Sequence, residues 1–347
     1  MSRRLRLAPA FLIIALGVAL GLHMSPSRAG SPVDAATARA VGGVAITVED
    51  MDRSIDFYST VLFFEKMSDV RASGPEIERL LSVPGARVRV VTMRLGAEQI
   101  ELVEYLGRKG RPVPADSRSN DRWFQHIAIV VNDMDQAYLW LHRHNVAQTS
   151  PGPQRLPDGN PNAGGIRAFY FKDPDGHALE VLQFPAGKGD ARWQRPSDRV
   201  FLGIDHTAIV VADTEKSLRF YRDTLGLRII GGSENDGPEQ ERLNDVPGAR
   251  LRITTLRAAE GPAIELLEYL APRDGRPYPP DTMANDLVRW HTLVLTSDAE
   301  SAAETLGVST KAHARPGVVP ISDASLGFRR GFTTSDPDGH GVQLRAR

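Results

Sequence analysis

Most of this chain is written twice. Ala45-Ile46 returns as Ala208-Ile209, and Ser54-Ile55-Asp56-Phe57-Tyr58 returns as Ser217-Leu218-Arg219-Phe220-Tyr221. Val83-Pro84-Gly85-Ala86-Arg87 returns as Val246-Pro247-Gly248-Ala249-Arg250, and Ile100-Glu101-Leu102 as Ile264-Glu265-Leu266. Gly110-Arg111-Pro112 becomes Gly275-Arg276-Pro277, and Asp173-Pro174-Asp175-Gly176-His177 becomes Asp336-Pro337-Asp338-Gly339-His340. The offset stays between 163 and 165 residues. A repeat this regular leaves room for two tandem copies of one topology, spanning residues 40–184 and 200–347. The Gly-, Pro- and charge-rich segment from Pro185 to Asp198 reads as the linker.

Each half divides again. Val44-Ala45-Ile46-Thr47-Val48 alternates like a half-buried strand. Asp50 or Asp52 then serves as the N-cap of a helix reaching Phe57 and Tyr58. The pattern restarts at Gln125-His126, at Asp205-His206 and at Trp290-His291. Short alternating strands follow at Val88–Met93, Gln99–Glu104, Arg167–Phe171 and Leu179–Phe184, with Asp-Pro-Asp-Gly as a tight turn. The unit is one strand, one helix and three strands (βαβββ), present four times, in an α+β fold.

Composition removes several function classes. The chain of 347 residues has no cysteine, so it has no thiol nucleophile, disulfide, iron–sulfur cluster or Cys-ligated zinc. Any metal must be held by His, Asp, Glu, Gln or water. The formal net charge is −1 and no basic stripe is interleaved with aromatics, so nothing marks a nucleic-acid partner. The first 29 residues read as an address. Arg3, Arg4 and Arg6 precede an apolar run from Phe11 to Leu22, and Ser27-Arg28-Ala29 offers small residues at −3 and −1 of a cleavage site. The expectation is a signal peptide removed after Ala29, a periplasmic or secreted product and no stable membrane insertion. Removal would take away four arginines and no acid, shifting the charge from −1 to −5.

The fourfold unit, with Phe-Tyr in its helix and Asp-Pro-Asp-Gly-His before its last strand, resembles the vicinal oxygen chelate superfamily. That is the family of glyoxalase I, methylmalonyl-CoA epimerase, fosfomycin and bleomycin resistance proteins, and extradiol dioxygenases. The resemblance covers nearly everything after residue 40. It implies paired units curled into cupped sheets around a divalent metal, with ligands on the first and last strands of each unit. In the first unit those places fall on Gly43, which cannot ligate, and Glu101. The other units offer His126 with Glu180, His206 with Glu265, and His291 with Gln343. The three glutamates lie in apolar strands (Ile-Glu-Leu, Leu-Glu-Val, Ile-Glu-Leu), where an isolated carboxylate costs several kcal/mol and a cation is its natural partner.

Which ligands meet depends on pairing. Pairing within halves gives Glu101, His126 and Glu180 in one site and His206, Glu265, His291 and Gln343 in the other. Pairing across halves gives His126, Glu180, His206 and Glu265, and leaves Glu101, His291 and Gln343 as a depleted set. The linker of 14 residues can reach about 45 Å and permits both. The crossed set is preferred because it is complete. Two His and two carboxylates suit Zn, Ni, Co, Mn or Fe. They leave two positions of a six-coordinate ion for the oxygens of a small substrate.

The reaction expected is a glyoxalase-type lyase, isomerase or epimerase step. The metal would be the Lewis acid, and Glu180 or Glu265 would move the proton. An extradiol-type Fe(II) dioxygenase and a non-catalytic small-molecule-binding protein are the alternatives. His177 and His340, in turns, are expected to be exposed, as are His142, His144 and His313. Tyr58 and Tyr221 are expected to pack, and Asp173 and Asp336 to shape turns. Glu104 and Glu268 should face away from the site, solvated or paired on the surface. Trp123 and Phe124 either line a pocket or fill the core. Pocket walls are expected from Arg71–Leu81, Pro151–Gly165 and Lys311–Ser325.

Overall fold

The computed structural model describes residues 37–308 and 317–347. The expected signal peptide, His313 and residues 311–316 of the 311–325 segment lie outside the described residues. The first unit holds β1 (Ala40–Val48), α1 (Met51–Asp56), β2 (Glu65–Ser73), α2 (Pro75–Leu81), β3 (Arg87–Leu95) and β4 (Glu98–Tyr105). The second holds β5 (Gln125–Val131), α3 (Met134–Arg143), β6 (Ala147–Gln148), β7 (Gln154–Arg155), β8 (Arg167–Lys172) and β9 (Ala178–Gln183). The third holds β10 (Phe201–Val210), α4 (Thr214–Leu218), β11 (Arg228–Asn235), α5 (Gly237–Asn244), β12 (Arg250–Arg257) and β13 (Ala263–Ala271). The fourth holds β14 (Trp290–Leu295), α6 (Ala299–Thr305), β15 (Val319–Pro320), β16 (Arg330–Ser335) and β17 (Gly341–Ala346).

Helix starts follow from capping chemistry. The Asp50, Asp133 and Asp298 carboxylates each accept two backbone N–H bonds at the head of α1, α3 and α6, and Asp213 accepts one at α4. Those N–H groups have no partner within the helix, so a carboxylate there also meets the positive end of the helix dipole.

The units pair across the halves. One sheet runs β15-β16-β17-β14-β1-β4-β3-β2, from the fourth and first units. The other runs β11-β12-β13-β10-β5-β9-β8-β6, from the third and second, with β7 on β8. The seams are antiparallel, β1 on β14 and β10 on β5. Each half therefore contributes to both sheets, and the halves meet within each sheet as well as between the two.

Alternation along the strands sorts residues between two environments. Val44, Ile46 and Val48 of β1 enter a core shared with Ile127, Ile129 and Val131 of β5 and with Phe169 and Phe171. The same face of the third and fourth units makes a matching core of Ile209, Leu266, Val294 and Phe332. The opposite faces, with Ala128, Val130, Tyr170 and Ala208 in one sheet and Ala45, Val103 and Leu293 in the other, line the two cups.

Two polar devices tie the units together. Asp173 accepts from the backbone of Asp175 and His177, meets His177 Nδ1 at 2.8 Å and accepts from the Tyr58 hydroxyl at 3.2 Å. Asp336, His340 and Tyr221 repeat this arrangement. His177 and His340 are therefore buried, contrary to the expectation of exposed turn histidines. The turn aspartate draws each imidazole inward, against a tyrosine of the neighbouring unit's helix. Tyr58 and Tyr221 do pack, and His142 and His144 are exposed.

The second device is reciprocal. Arg111 grips Asp286 and Asp281, while Arg276 grips Asp121 and Asp116. Here the repeated Gly-Arg-Pro finds its job. A Cβ on Gly110 would sit 1.8 Å from the Asn285 carbonyl oxygen, and one on Gly275 would sit 1.9 Å from that of Asn120. Only glycine lets the strands' extensions cross this closely. Asp121 is wholly buried and accepts from the Arg276 backbone and guanidinium. Arg276→Ala is expected to cost about 2 kcal/mol, because it strips charge-assisted bonds from a buried carboxylate. Urea unfolding monitored by circular dichroism checks this, and Arg155→Ala, whose partner Asp158 is itself exposed, should stay near wild type.

Candidate metal centre

The site is built at the seam of the second sheet. His126 on β5 stands opposite Ala208 on β10, and His206 on β10 opposite Ala128 on β5. The alanines leave room there for two imidazoles, whose centroids lie 5.7 Å apart. Glu180 on β9 is in register with Ala128, and Glu265 on β13 with Ala208. Four adjacent strands thus deliver the four side chains of the crossed set to one place.

Glu180 Oε2 lies 3.1 Å from His126 Nε2 and 3.6 Å from His206 Nε2. Ligand atoms of His126, Glu180 and His206 all fall within 4.8 Å of one another. Donors bound about 2.1 Å from one ion are separated by comparable distances. Glu265 stands at the edge of this triplet, with Oε2 3.4 Å from His206 Nε2 and Oε1 accepting from the Thr255 hydroxyl at 2.8 Å. Glu180 is buried, whereas Glu265 is partly open to the pocket.

Two observations test whether a cation fits. Both ring nitrogens of His126 are buried without a hydrogen-bond partner, and the short approach of Nε2 to Glu180 lacks hydrogen-bond alignment. Such an orphan costs about 1–3 kcal/mol, and an ion at Nε2 removes the Nε2 share of that cost. The donor set, two imidazoles with carboxylates, also suits a borderline divalent ion. Burial alone would push the Glu180 carboxyl up, but the two imidazoles pull it down to about 2. Burial disfavours protonation of His206, yet Glu265, Asp205 and Glu180 together raise it well above the ordinary histidine range. The centre carries concentrated negative charge, which a metal would neutralise.

Around it lies a cavity of about 700 Å³. Leu156, Asn162 and Ala163 supply one wall, from the expected 151–165 segment. Two further walls were not legible: Ile230–Ser233 of β11, and Gly187–Asp190 of the linker. The other polar expectations divide. Phe124 stacks on Tyr170 and meets His126 edge-on, while Trp123 lies under the Arg276 guanidinium. Glu104 pairs with Lys109 on the surface, but Glu268 is buried against Thr214, Arg252 and Arg273.

The equivalent place in the first sheet has been filled differently. Gly43 has φ of 117° and a Cβ there would lie 2.0 Å from the Gln99 carbonyl oxygen, so the backbone admits no ligand side chain. The Arg345 guanidinium donates to both oxygens of Glu101 at 2.5 and 2.7 Å, and its Nε donates to Gln343 Oε1 at 2.6 Å. Gln343 also donates to the Thr333 hydroxyl. The secondary set of Glu101, His291 and Gln343 thus lies around an internal cation, the Arg345 guanidinium, which bonds Glu101 and Gln343. The alternative set of His206, Glu265, His291 and Gln343 does not assemble, because His206 and His291 belong to different sheets. Arg345 was missed although a signal existed. Two residues past the ligand place the other units carry Val103, Leu182 and Leu267, and only this one carries a charge.

The cavity beside Arg345, about 40 Å³, draws Ala72, Ile77 and Leu80 from the 71–81 segment. His291 lines it, and burial followed by repulsion from Arg289 and Arg345 lowers its pKa to about 3. An unfolded chain binds that proton near pH 6.5, and the folded one does not. Between pH 6.5 and 3 the unfolded state therefore holds more protons, and stability falls as the pH falls. Urea midpoints for wild type and His291→Gln should diverge on acidification through this window, with wild type losing more, and run parallel above pH 7.

A 2-epi-5-epi-valiolone epimerase from Actinomyces sp is 35% identical over 153 residues, 43% of this chain and 81% of that protein. A lactoylglutathione lyase of Arabidopsis thaliana is 24% identical over 187 residues, 54% of each chain. The crystal structure of glyoxalase I from Zea mays shares the fold, with a TM-score of 0.55 at 17% identity, covering 88% of this chain and 92% of that one. The sequence profile of the Glyoxalase/Bleomycin resistance protein/Dioxygenase superfamily matches twice, at residues 40–181 and 203–344. The chain belongs to that superfamily, as a tandem member with two glyoxalase-like domains.

Proposed function

We propose that this protein is an exported, divalent-metal-dependent enzyme that moves a proton on a small oxygenated substrate, as a glyoxalase-type isomerase, epimerase or lyase. The observation that carries the reading is the convergence of His126, Glu180 and His206 beside a half-open Glu265, at the floor of the larger cavity. The kinship with an epimerase and with lyases supports the reaction class. His126, Glu180 and His206 would hold the ion, with Glu265 as a fourth, looser ligand. When bound, the ion would supply Lewis acidity toward vicinal substrate oxygens and stabilise the enolate-like charge formed at the adjacent carbon.

The protein's residues divide the remaining work. Glu180, buried and flanked by two imidazoles, stays an ionised anchor. Glu265 has one oxygen fixed by Thr255 and the other near the centre. It would take or return a proton at the carbon beside the substrate's oxygens. Leu156, Ile166, Phe184 and Ile253 supply apolar walls for the substrate's carbon skeleton.

The test is deuterium exchange. Zinc- or cobalt-loaded protein is incubated in D2O with a panel of hydroxyketones, cyclitol ketones and α-ketohemithioacetals, and the carbon bound to the acidic hydrogen is followed by NMR. Exchange by wild type and its loss in Glu265→Gln is the expected result. Oxygen uptake with catechols, in place of exchange, would contradict it. Export rests on residues 1–29, and mass spectrometry of secreted or periplasmic material should find Gly30 first. A mature chain still starting at Met1 would contradict cleavage.

A further inference from the structure

The linker does more than join the halves. Asp190 caps a short 3₁₀ turn over Ala191–Gln194, and this turn is anchored at both of its central side chains. Arg192 pairs with the buried Glu98 of β4 at 2.5 Å and lies over the Trp193 ring, its Cζ 3.9 Å from the ring centroid. Glu98 Oε2 also accepts from the backbone N–H of Ile204, in β10 itself. Trp193 then donates its indole N–H to Asp205 Oδ1 at 2.9 Å. The other oxygen, Asp205 Oδ2, lies 3.0 Å from His206 Nδ1. An ionised carboxylate can only accept, so Nδ1 carries the proton and Nε2 is the nitrogen turned toward Glu180 and Glu265.

Nothing comparable serves the other imidazole. His126 follows Gln125, whose amide donates to the Thr207 hydroxyl, and His126 Nδ1 has no partner. Only one of the two histidines at this centre is held from behind, by its strand neighbour Asp205, which the linker's Trp193 holds in turn.

We propose that Asp205 and Trp193 are positioning residues for the metal centre: the linker fixes the tautomer and ring angle of His206 through them, so that metal affinity depends on the linker's seat. This inference rests on the proposed function, because it takes His206 Nε2 to be a metal ligand. Partners behind a ligating imidazole orient the ring and raise its basicity, and their loss costs about 10–100-fold in metal affinity. Asp205 touches the ring and should show that full effect. Trp193 acts one bond further back and should show a smaller one, about 3–10-fold, below the range for direct partners.

The test is zinc affinity by competition with a chromophoric chelator, for wild type, Asp205→Asn and Trp193→Phe. It is accompanied by thermal unfolding of the metal-free proteins and by ¹⁵N-imidazole NMR of the zinc-loaded ones. Expected results are about 10–100-fold weaker binding for D205N and an intermediate loss for W193F. Metal-free unfolding of W193F should change little, and loaded wild type should show a His206 with Nδ1 protonated and Nε2 bound to zinc. Equal affinities in all three proteins, or zinc on Nδ1 of His206, would overturn the proposal while leaving the proposed function intact. Should D205N fail to fold, W193F and the wild-type spectrum still decide. A wild type that binds no zinc would refute the proposed function itself, and this inference with it.

Discussion

Replacing His206 with alanine is expected to abolish ion binding in the second sheet and lower turnover by at least about 100-fold, whereas His291→Ala should leave both near wild type. The bound is conservative, since losing only an outer partner of a metal ligand already costs about 10–100-fold. The two histidines occupy equivalent strands, β10 and β14, and a reading from sequence position alone would treat them alike. Their surroundings separate them. His206 Nε2 faces Glu180 and Glu265 at 3.6 and 3.4 Å. His291 faces a cavity where Arg345 already neutralises Glu101. A second cation brought there would meet the guanidinium. Isothermal titration with Zn²⁺, paired with the deuterium-exchange assay, measures both effects. Equal damage from the two substitutions would contradict the crossed arrangement of sites.

Arg345→Leu is expected to destabilise the fold by about 3–5 kcal/mol, because it leaves Glu101 ionised and unpaired inside the first sheet's cup. Both side chains are largely shielded, at 11% and 13% exposure, so water cannot replace the lost partner. The second half of the prediction distinguishes charge from packing. Adding Glu101→Leu to Arg345→Leu should recover most of the loss, since a buried ion pair replaced by apolar groups of similar volume is often neutral or better. Guanidinium unfolding of the single and double variants tests this. A double variant as unstable as the single would show that Arg345 contributes through its contact with Phe328 and not through its charge.

Both predictions depend on features that differ in how far the sequence discloses them. The tandem repeat, the βαβββ unit, the aspartate caps and the candidate ligands are local patterns, each visible in a few adjacent residues. The crossed pairing is not local. Either pairing satisfies the same strand alternation, and the only sequence clue was that Gly43 and Gln343 fall together in one crossed set. The structure resolves it through the β5–β10 and β1–β14 seams, where alanine stands opposite each seam histidine.

Arg345 hid because its effect is exerted across 244 residues of chain, on Glu101. His177 and His340 were misplaced for a related reason. Turn residues are usually exposed, but here the aspartate four positions earlier and a tyrosine 115 residues from it complete a buried network. The linker shows the same limit. Its composition reads as a spacer, yet Trp193 packs against the core of the second sheet and bonds to Asp205. Such partners are set by tertiary packing, which no window of neighbouring residues contains.

On the proposed function, each chain binds one ion, in the second sheet and not in the first. Anomalous diffraction at the zinc or cobalt edge, from crystals of protein loaded with that metal, tests it most directly. One strong peak is expected about 2.0–2.2 Å from His126 Nε2, His206 Nε2 and a Glu180 oxygen, and none among Glu101, His291 and Gln343. A peak in the first sheet, or no peak in the second, would contradict it.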